Sequence, residues 1–490
     1  MKKIYKVLVV AVLMLAASCS DNLTDLNVDP KAYSSGTVPG ATLMSNATRN
    51  LVNAMTSASV NQGIFRYQVQ YWAQATYQDE VRYDLTTRNI PQTFWTLLYR
   101  DVLKDLQEAT RLISKDPVSD TRDNQLAIVD ILAIYTYSTL VNTFGDVPYT
   151  KALDGDNLSP VYDDAATIYT DLLTRLDADI TKLFTATGTA SFTGGADLIY
   201  GGSISKWLKF ANSLKLRMGM TLIDSNPTLA TSTIVTASNG SKGALMTSNA
   251  DNAFMTYLTT PNANPVWVDV VQSGRQDIIA CKTIVNMMNT LNDPRRSLYF
   301  TFDVTGSAYS GGTPGTITGF SQVSKPSAKL SANNFRGVLL DYSEVQFYLA
   351  EAVARGLIAG TAATYYNNGI TASFTDWDPT NGAANAATYL ANPLVDYATA
   401  IVQPGATYKT VIGTQKYLAL YNRGFEAWTE VRRLDAPTMG PVTSARTVFP
   451  IRYTYPVSEQ NLNTANFNSA SAKVAGGSDQ VGAKLFWDKF

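Results

Sequence analysis

From about residue 41 onward, apolar side chains recur along this chain at steps of three and four. Trp95, Leu98, Val102, Leu106, Ala109 and Ile113 form one such stripe, and Ile128, Leu132, Tyr135 and Thr139 form the next. Spacing of this kind puts one face of a helix into a core, so the two stripes predict a pair of helices. A second pair follows, with Leu173, Leu176, Ile180 and Leu183 on one helix and Trp207, Phe210, Leu214 and Met218 on its mate. Val345, Leu349 and Ala352 begin a third set, which Tyr417, Leu420, Gly424, Trp428 and Val431 join.

Between these pairs the pattern changes. Asp224 to Pro265 and Asp303 to Asn334 are rich in Gly, Ser, Thr, Asn and Pro and show little helical period, which predicts long loops. The expected fold class is therefore mainly α. Helical hairpins resembling tetratricopeptide units would pack with a loop-rich, irregular ligand-binding region, the long insertions breaking any strict period of ~34 residues. Long loops on a rigid scaffold are where binding function usually sits.

The start of the chain follows other rules. Lys2, Lys3 and Lys6 precede an unbroken apolar run from Val7 to Ala17, and small residues lead into Cys19. Residues 1–18 thus read as a signal peptide, too short to span a bilayer, with no comparable apolar stretch expected after it. Cys19 stands where a lipoprotein signal places its acylated cysteine. The segment departs from the usual pattern in having Ala16 at the customary Leu position, with Leu15 one step further back. Two or three acyl chains at ~0.8 kcal/mol per buried CH₂ would hold such a protein on a membrane. An ordinary secretory signal with an incidental cysteine is the alternative. Residues 19–40 are polar and read as a flexible tether, with residues 41–490 as a single body. Asp21, just after the anchor, resembles the acidic export signals of Bacteroidetes surface lipoproteins. Cys281 is the one other cysteine, so it is expected to be an inert buried thiol.

Composition narrows the function. Lys and Arg number 39 against 40 Asp and Glu, so nucleic acid is an unlikely partner. The chain contains no histidine, which removes Ser-His-Asp and Cys-His nucleophile arrangements and the commonest zinc ligand together. Hydrolysis by a pair of carboxylates stays chemically open, though no particular pair stands out. No phosphate-binding glycine loop, CxxC pair or metal-ligand helix motif is present, so no cofactor is expected. Clustered Asp and Asn residues such as Asp154, Asp156 and Asn157 would suit a structural calcium but also ordinary turns.

A series of segments does carry a resemblance. NVDP at 27–30 is followed by FGDVPY at 144–149, WLKFANSLKLR at 207–217, LNDPR at 291–295, SEVQFYLAE at 343–351, GFEAWTEVRR at 424–433 and RYTYPVSE at 452–459. Together and in this order they resemble the SusD/RagB family of nutrient-binding outer-membrane lipoproteins, in its SusD-like subgroup. Read from the residues alone, most of these segments are architectural. Gly145 and Pro148 end a helix and begin a turn where Asp146 accepts backbone hydrogen bonds. Glu426, Glu430, Arg432 and Arg433 have the spacing of helix ion pairs, joined by Arg217 in a partly buried network; an anionic-ligand site built from the arginines is the alternative.

The resemblance implies a helical scaffold under a loop-rich binding surface. It also implies a lid-like role over a TonB-dependent, SusC-like outer-membrane transporter, with capture of oligosaccharides or, in some members, peptides. Flat neutral sugar rings are held by aromatic faces with amide, carboxylate and guanidinium groups at their edges. Tyr67, Tyr71, Trp72, Tyr77 and Tyr83, with Gln74, Gln78, Asp79 and Arg82 among them, form the leading candidate cluster; a buried helix face is the competing reading. The resemblance adds a later loop near Trp267, Arg275, Tyr309 and Phe320, and Trp377 between Asp376 and Asp378 is a third possibility. The expected function is capture at the cell surface without catalysis. A lipid-anchored glycosidase and a structural adaptor are the alternatives.

Overall fold

In the computed structural model the described residues are 38–193 and 195–489. The expected signal peptide, the anchor at Cys19, the NVDP segment and the tether up to residue 37 lie outside them. Ten principal helices build the body: α1 (Gly40–Thr56), α2 (Lys104–Ile113), α3 (Asp120–Phe144), α4 (Ala165–Thr185), α5 (Ile204–Leu222), α6 (Pro227–Ser238), α7 (Tyr342–Ala354), α8 (Ala362–Trp377), α9 (Tyr408–Ala419) and α10 (Gly424–Leu434). The closest packing is of α3 on α4, α5 on α6 and α7 on α8, with α9 against both α7 and α10. Buried apolar residues form one continuous cluster from Met44 to Ala470.

Local chemistry explains the helix ends. Ser119, Asp164 and Asp341 accept the N–H of Arg122, Thr167 and Glu344 respectively, capping α3, α4 and α7. Thr407 and Thr410 form a reciprocal capping box at the start of α9. Gly145 ends α3 at φ 88°, and Asp146 then accepts the N–H of Ala165 at 2.9 Å, tying the end of α3 to the first turn of α4. The FGDVPY segment is therefore a connector between two helices.

Three expectations need correction. Residues 227–238 are not loop but helix α6, led by Pro227 after the capping Asn226. Its buried Ala230, Thr233, Ile234 and Ala237 are too small and polar to print a clear stripe. The residues from Tyr417 to Val431 that join the third set, whose apolar steps show no break, fall on two helices, α9 and α10, separated by a turn in which Asn422 adopts φ 76°. Finally, α3 is long and apolar enough to cross a membrane, but it runs through the core with most of its apolar window buried.

Ion pairs lock the helices together. Glu344 at the start of α7 takes Arg217 of α5 at 2.8 Å and Arg423, just before α10, at 2.6 Å. Further along, Arg433 bonds Glu351 and Glu430, and Glu430 also takes Lys416 of α9 at 2.8 Å. This is a structural network, as the spacing predicts. Arg432 departs from that prediction: its guanidinium lies 3.4 Å over the Trp428 ring and donates to the carbonyls of Asn142 and Ile451.

The loop-rich region lies against this scaffold. Strand β1 (Trp72–Gln74) pairs antiparallel with β3 (Ile278–Ala280), and β2 (Ala253–Met255) pairs with β4 (Gly337–Leu340). Residues 310–324 run alongside the first ladder, with Gly312 bridged to Cys281 and Thr318 N–H donating to Ala75 O at 3.1 Å. Cys281 is buried, and burial pushes its thiol up to about 11, as befits an inert packing residue.

Candidate ligand-binding site

The aromatic-rich stretch 67–83 divides sharply by burial. Tyr67, Tyr71, Trp72 and Tyr83 are in the core, so as ligand contacts they are corrected: none presents a ring face to solvent. Tyr71 donates its hydroxyl to the carbonyl of Tyr417, Trp72 donates Nε1 to Tyr421 Oη at 3.0 Å, and Tyr83 meets Phe449 edge to face. Tyr77 is the exception at 59% exposure. It follows β1, where the chain leaves the ladder, and its backbone N–H donates to Asp277 Oδ1 at 3.2 Å beside that of Thr76 at 2.9 Å.

Asp277 organises this corner. Its other oxygen accepts Arg275 at 2.8 Å and Gln74 Nε2 at 3.2 Å. Burial acts against the Arg275 charge, but the Asp277 carboxylate outweighs it and holds the guanidinium above its ordinary pKa. Arg275 thus stands half-buried next to the Tyr77 loop. Around the base of that loop Tyr67 Oη, Gln74 Oε1, Gln78 Oε1 and Glu80 Oε2 are buried without a hydrogen-bond partner among the described residues. Each such atom costs about 1–3 kcal/mol, a burden that proteins concentrate at functional sites.

The remaining candidates are placed as follows. Arg82 is partly buried and donates to Gly315 O at 2.8 Å, which fixes the loop beside Ile317, 73% exposed. Trp267 is half-buried in a short turn that leads through the exposed Val268 and Val271 toward Arg275. Tyr309 sits at the opposite end of the ladder, three residues before Gly312, which pairs with Cys281. There it packs on Phe302 at 4.9 Å, with Arg296 over its ring. Phe320 is partly buried under Lys325. Trp377 is buried against Tyr299 at 4.7 Å, and Asp376 pairs with Arg336, so this third possibility is scaffold. Asp154 accepts the N–H of Asp156 in an ordinary turn, and among the described residues no group of three acids or cysteines could hold a metal ion.

Sequence reasoning missed Asp277, which carries no signal in its neighbourhood, and it missed Arg446. The latter belongs to a polar loop whose backbone N–H donates to Arg82 O at 2.7 Å, and its guanidinium approaches Asp79 at 4.0 Å.

The described residues thus form helical hairpins that carry a separate loop-built face on which Tyr77 is exposed. The chain belongs to the SusD-like family, described as starch-binding and associating with the outer membrane, which matches residues 30–456. Solved structures agree on the fold. A SusD homolog from Bacteroides uniformis is 27% identical with a TM-score of 0.75, over 91% of this chain and 99% of that one. A SusD homolog from Bacteroides fragilis is 24% identical with a TM-score of 0.77, over 92% and 100%. A chitin-binding SusD homolog from Flavobacterium johnsoniae is 23% identical with a TM-score of 0.77, over 91% and 98%. No curated protein matches the chain.

Proposed function

We propose that this protein is a cell-surface lipoprotein, anchored through Cys19, that captures neutral oligosaccharides and passes them to a SusC-like, TonB-dependent transporter. The observation that carries the reading is Tyr77, an exposed ring held on a fixed loop beside the half-buried Arg275 guanidinium. That is the arrangement that stacks one face of a sugar and bonds its edge. Family membership supports carbohydrate as the ligand class, and so does the chitin-binding homolog. Peptide capture has no comparable support on this face. A glycosidase is disfavoured by the commitments of the nearby carboxylates: Asp277 is bonded to two backbone N–H groups and Arg275, and Asp84 to Thr86 and Thr87.

Calorimetric titration of the full chain in detergent against starch and chitin oligosaccharides, with peptides as controls, tests this. Saturable binding with the sugar recovered intact is expected. Accumulating cleavage products would instead establish the enzyme reading, and a peptide-only response would replace the ligand class.

A further inference from the structure

Beyond the Tyr77 loop lies a groove of about 930 Å³ that the sequence did not single out. Its walls are residues 83–87, 446–448 and 479–482. They are drawn together by backbone and side-chain bonds: Thr447 Oγ1 donates to Tyr83 O, Ile451 N–H to Val481 O at 2.9 Å, and Arg452 to Asp479 at 2.5 Å. The groove is therefore built on fixed segments that are far apart in sequence.

It is joined to the Tyr77 platform. Asp79, two residues after Tyr77, accepts the N–H of Asp84 at 2.9 Å, so one closed turn has Tyr77 at one end and the groove wall at the other. Arg446 bridges the same gap on the outside, lining the groove while facing Asp79.

The lining states the chemistry of an occupant. Thr86, Thr87, Thr447 and Gln480 offer neutral hydrogen-bonding groups, while Val448, 65% exposed, offers apolar surface. The acids are already engaged. Four bonds from Thr86 and Thr87 outweigh partial burial and hold Asp84 below the usual carboxylate range, and Asp479 is paired with Arg452. Arg446 adds one exposed guanidinium at the rim, where it faces Asp79, and walls that mix apolar, neutral polar and guanidinium groups suit a sugar chain, whose rings have apolar faces and hydroxyl edges.

We propose that the groove is a second subsite of the same face, taking the continuing units of a linear, uncharged oligosaccharide of which one ring stacks on Tyr77. The inference rests on the carbohydrate reading and deepens it: the ligand is an extended chain, and affinity depends on its length. Once one ring is held, occupying the groove is intramolecular, so length adds affinity without new contacts at Tyr77.

A ladder of uncharged oligosaccharides, from disaccharide to hexasaccharide in both the starch and chitin series, tests this on the full chain in detergent. Wild-type affinity is expected to rise roughly tenfold or more along the ladder. Val448→Arg, which fills the groove from an exposed position, should collapse the difference between hexasaccharide and disaccharide. Gln480→Arg serves as a second obstruction, and an unchanged melting temperature checks that both variants fold. If wild-type affinity is flat with length, or the rise survives both substitutions, the groove inference is overturned while carbohydrate capture stands. If no sugar of any length binds, the functional reading falls and takes the inference with it.

Discussion

Asp277 carries Tyr77: the carboxylate of the first accepts the backbone N–H of the second, and the ring so placed stands in solvent while Ala75 and Gln78 on either side are buried. Position and exposure are thus set by a residue two hundred places away along the chain.

Truncating the ring separates binding from stability. Tyr77→Ala is expected to weaken oligosaccharide binding by ~0.5–1.5 kcal/mol, the worth of a ring stack. Stability should change by less than ~0.5 kcal/mol, since the side chain is exposed. Trp72→Ala should do the reverse, losing ~3–5 kcal/mol of stability from a filled core. Paired titration calorimetry and denaturant unfolding read both effects.

Replacing Asp277 by Ala should cost both properties. Two backbone N–H groups and a half-buried guanidinium lose their acceptor, for about 1–3 kcal/mol of stability, and the Tyr77 loop loses its support. Asp277→Asn keeps one acceptor and should retain more binding. Equal binding by the Ala variant would show that the loop is held otherwise.

Glu344 links three helices, and its removal tests the scaffold. Breaking a buried pair leaves Arg217 and Arg423 uncompensated, so Glu344→Gln should cost ~3–5 kcal/mol. Burial alone would raise the Glu344 pKa, but the two arginines hold it below its ordinary value. Such a depressed carboxylate contributes stability that is complete above its unfolded pKa of ~4.3 and is lost as pH falls through the folded value. Wild type should therefore lose stability at acid pH more steeply than the Gln variant, as urea unfolding across pH would show.

Asp179 points the other way. Burial first, and the Asp130 carboxylate second, push its pKa well above the usual range. The folded state keeps the proton that the unfolded chain releases near pH ~3.9, so stability falls as pH rises from there toward the folded pKa. Asp179→Asn should raise the melting temperature at neutral pH and flatten that slope. A lower melting temperature at every pH would show that the carboxyl is needed as such.

Much of the fold was legible because helices are local. The stripes at Trp95, Ile128, Leu173 and Trp207 and the stop at Gly145 all act within a few residues. Helix α6 escaped because Thr and Ala fill its inner face, and the break between α9 and α10 escaped because the apolar steps continue through the turn.

The candidate site was legible only in part. The stretch 67–83 contains Tyr77, but nothing within it distinguishes that ring from Tyr71 or Trp72, since a strand buried on both faces shows no alternation. Tyr417 and Tyr421, some 346 and 349 residues further on, close over Tyr71 and Trp72, and among the described residues Tyr77 stays exposed.

What the sequence determined by itself is the helical scaffold, its ion-pair spacing and its family, because periodicity, capping and motif order are properties of neighbouring residues. Only the tertiary structure decided which aromatic faces solvent and that 83–87, 446–448 and 479–482 meet in one groove. Exposure and concavity depend on which distant segments arrive to cover a side chain, and local sequence does not encode their arrival.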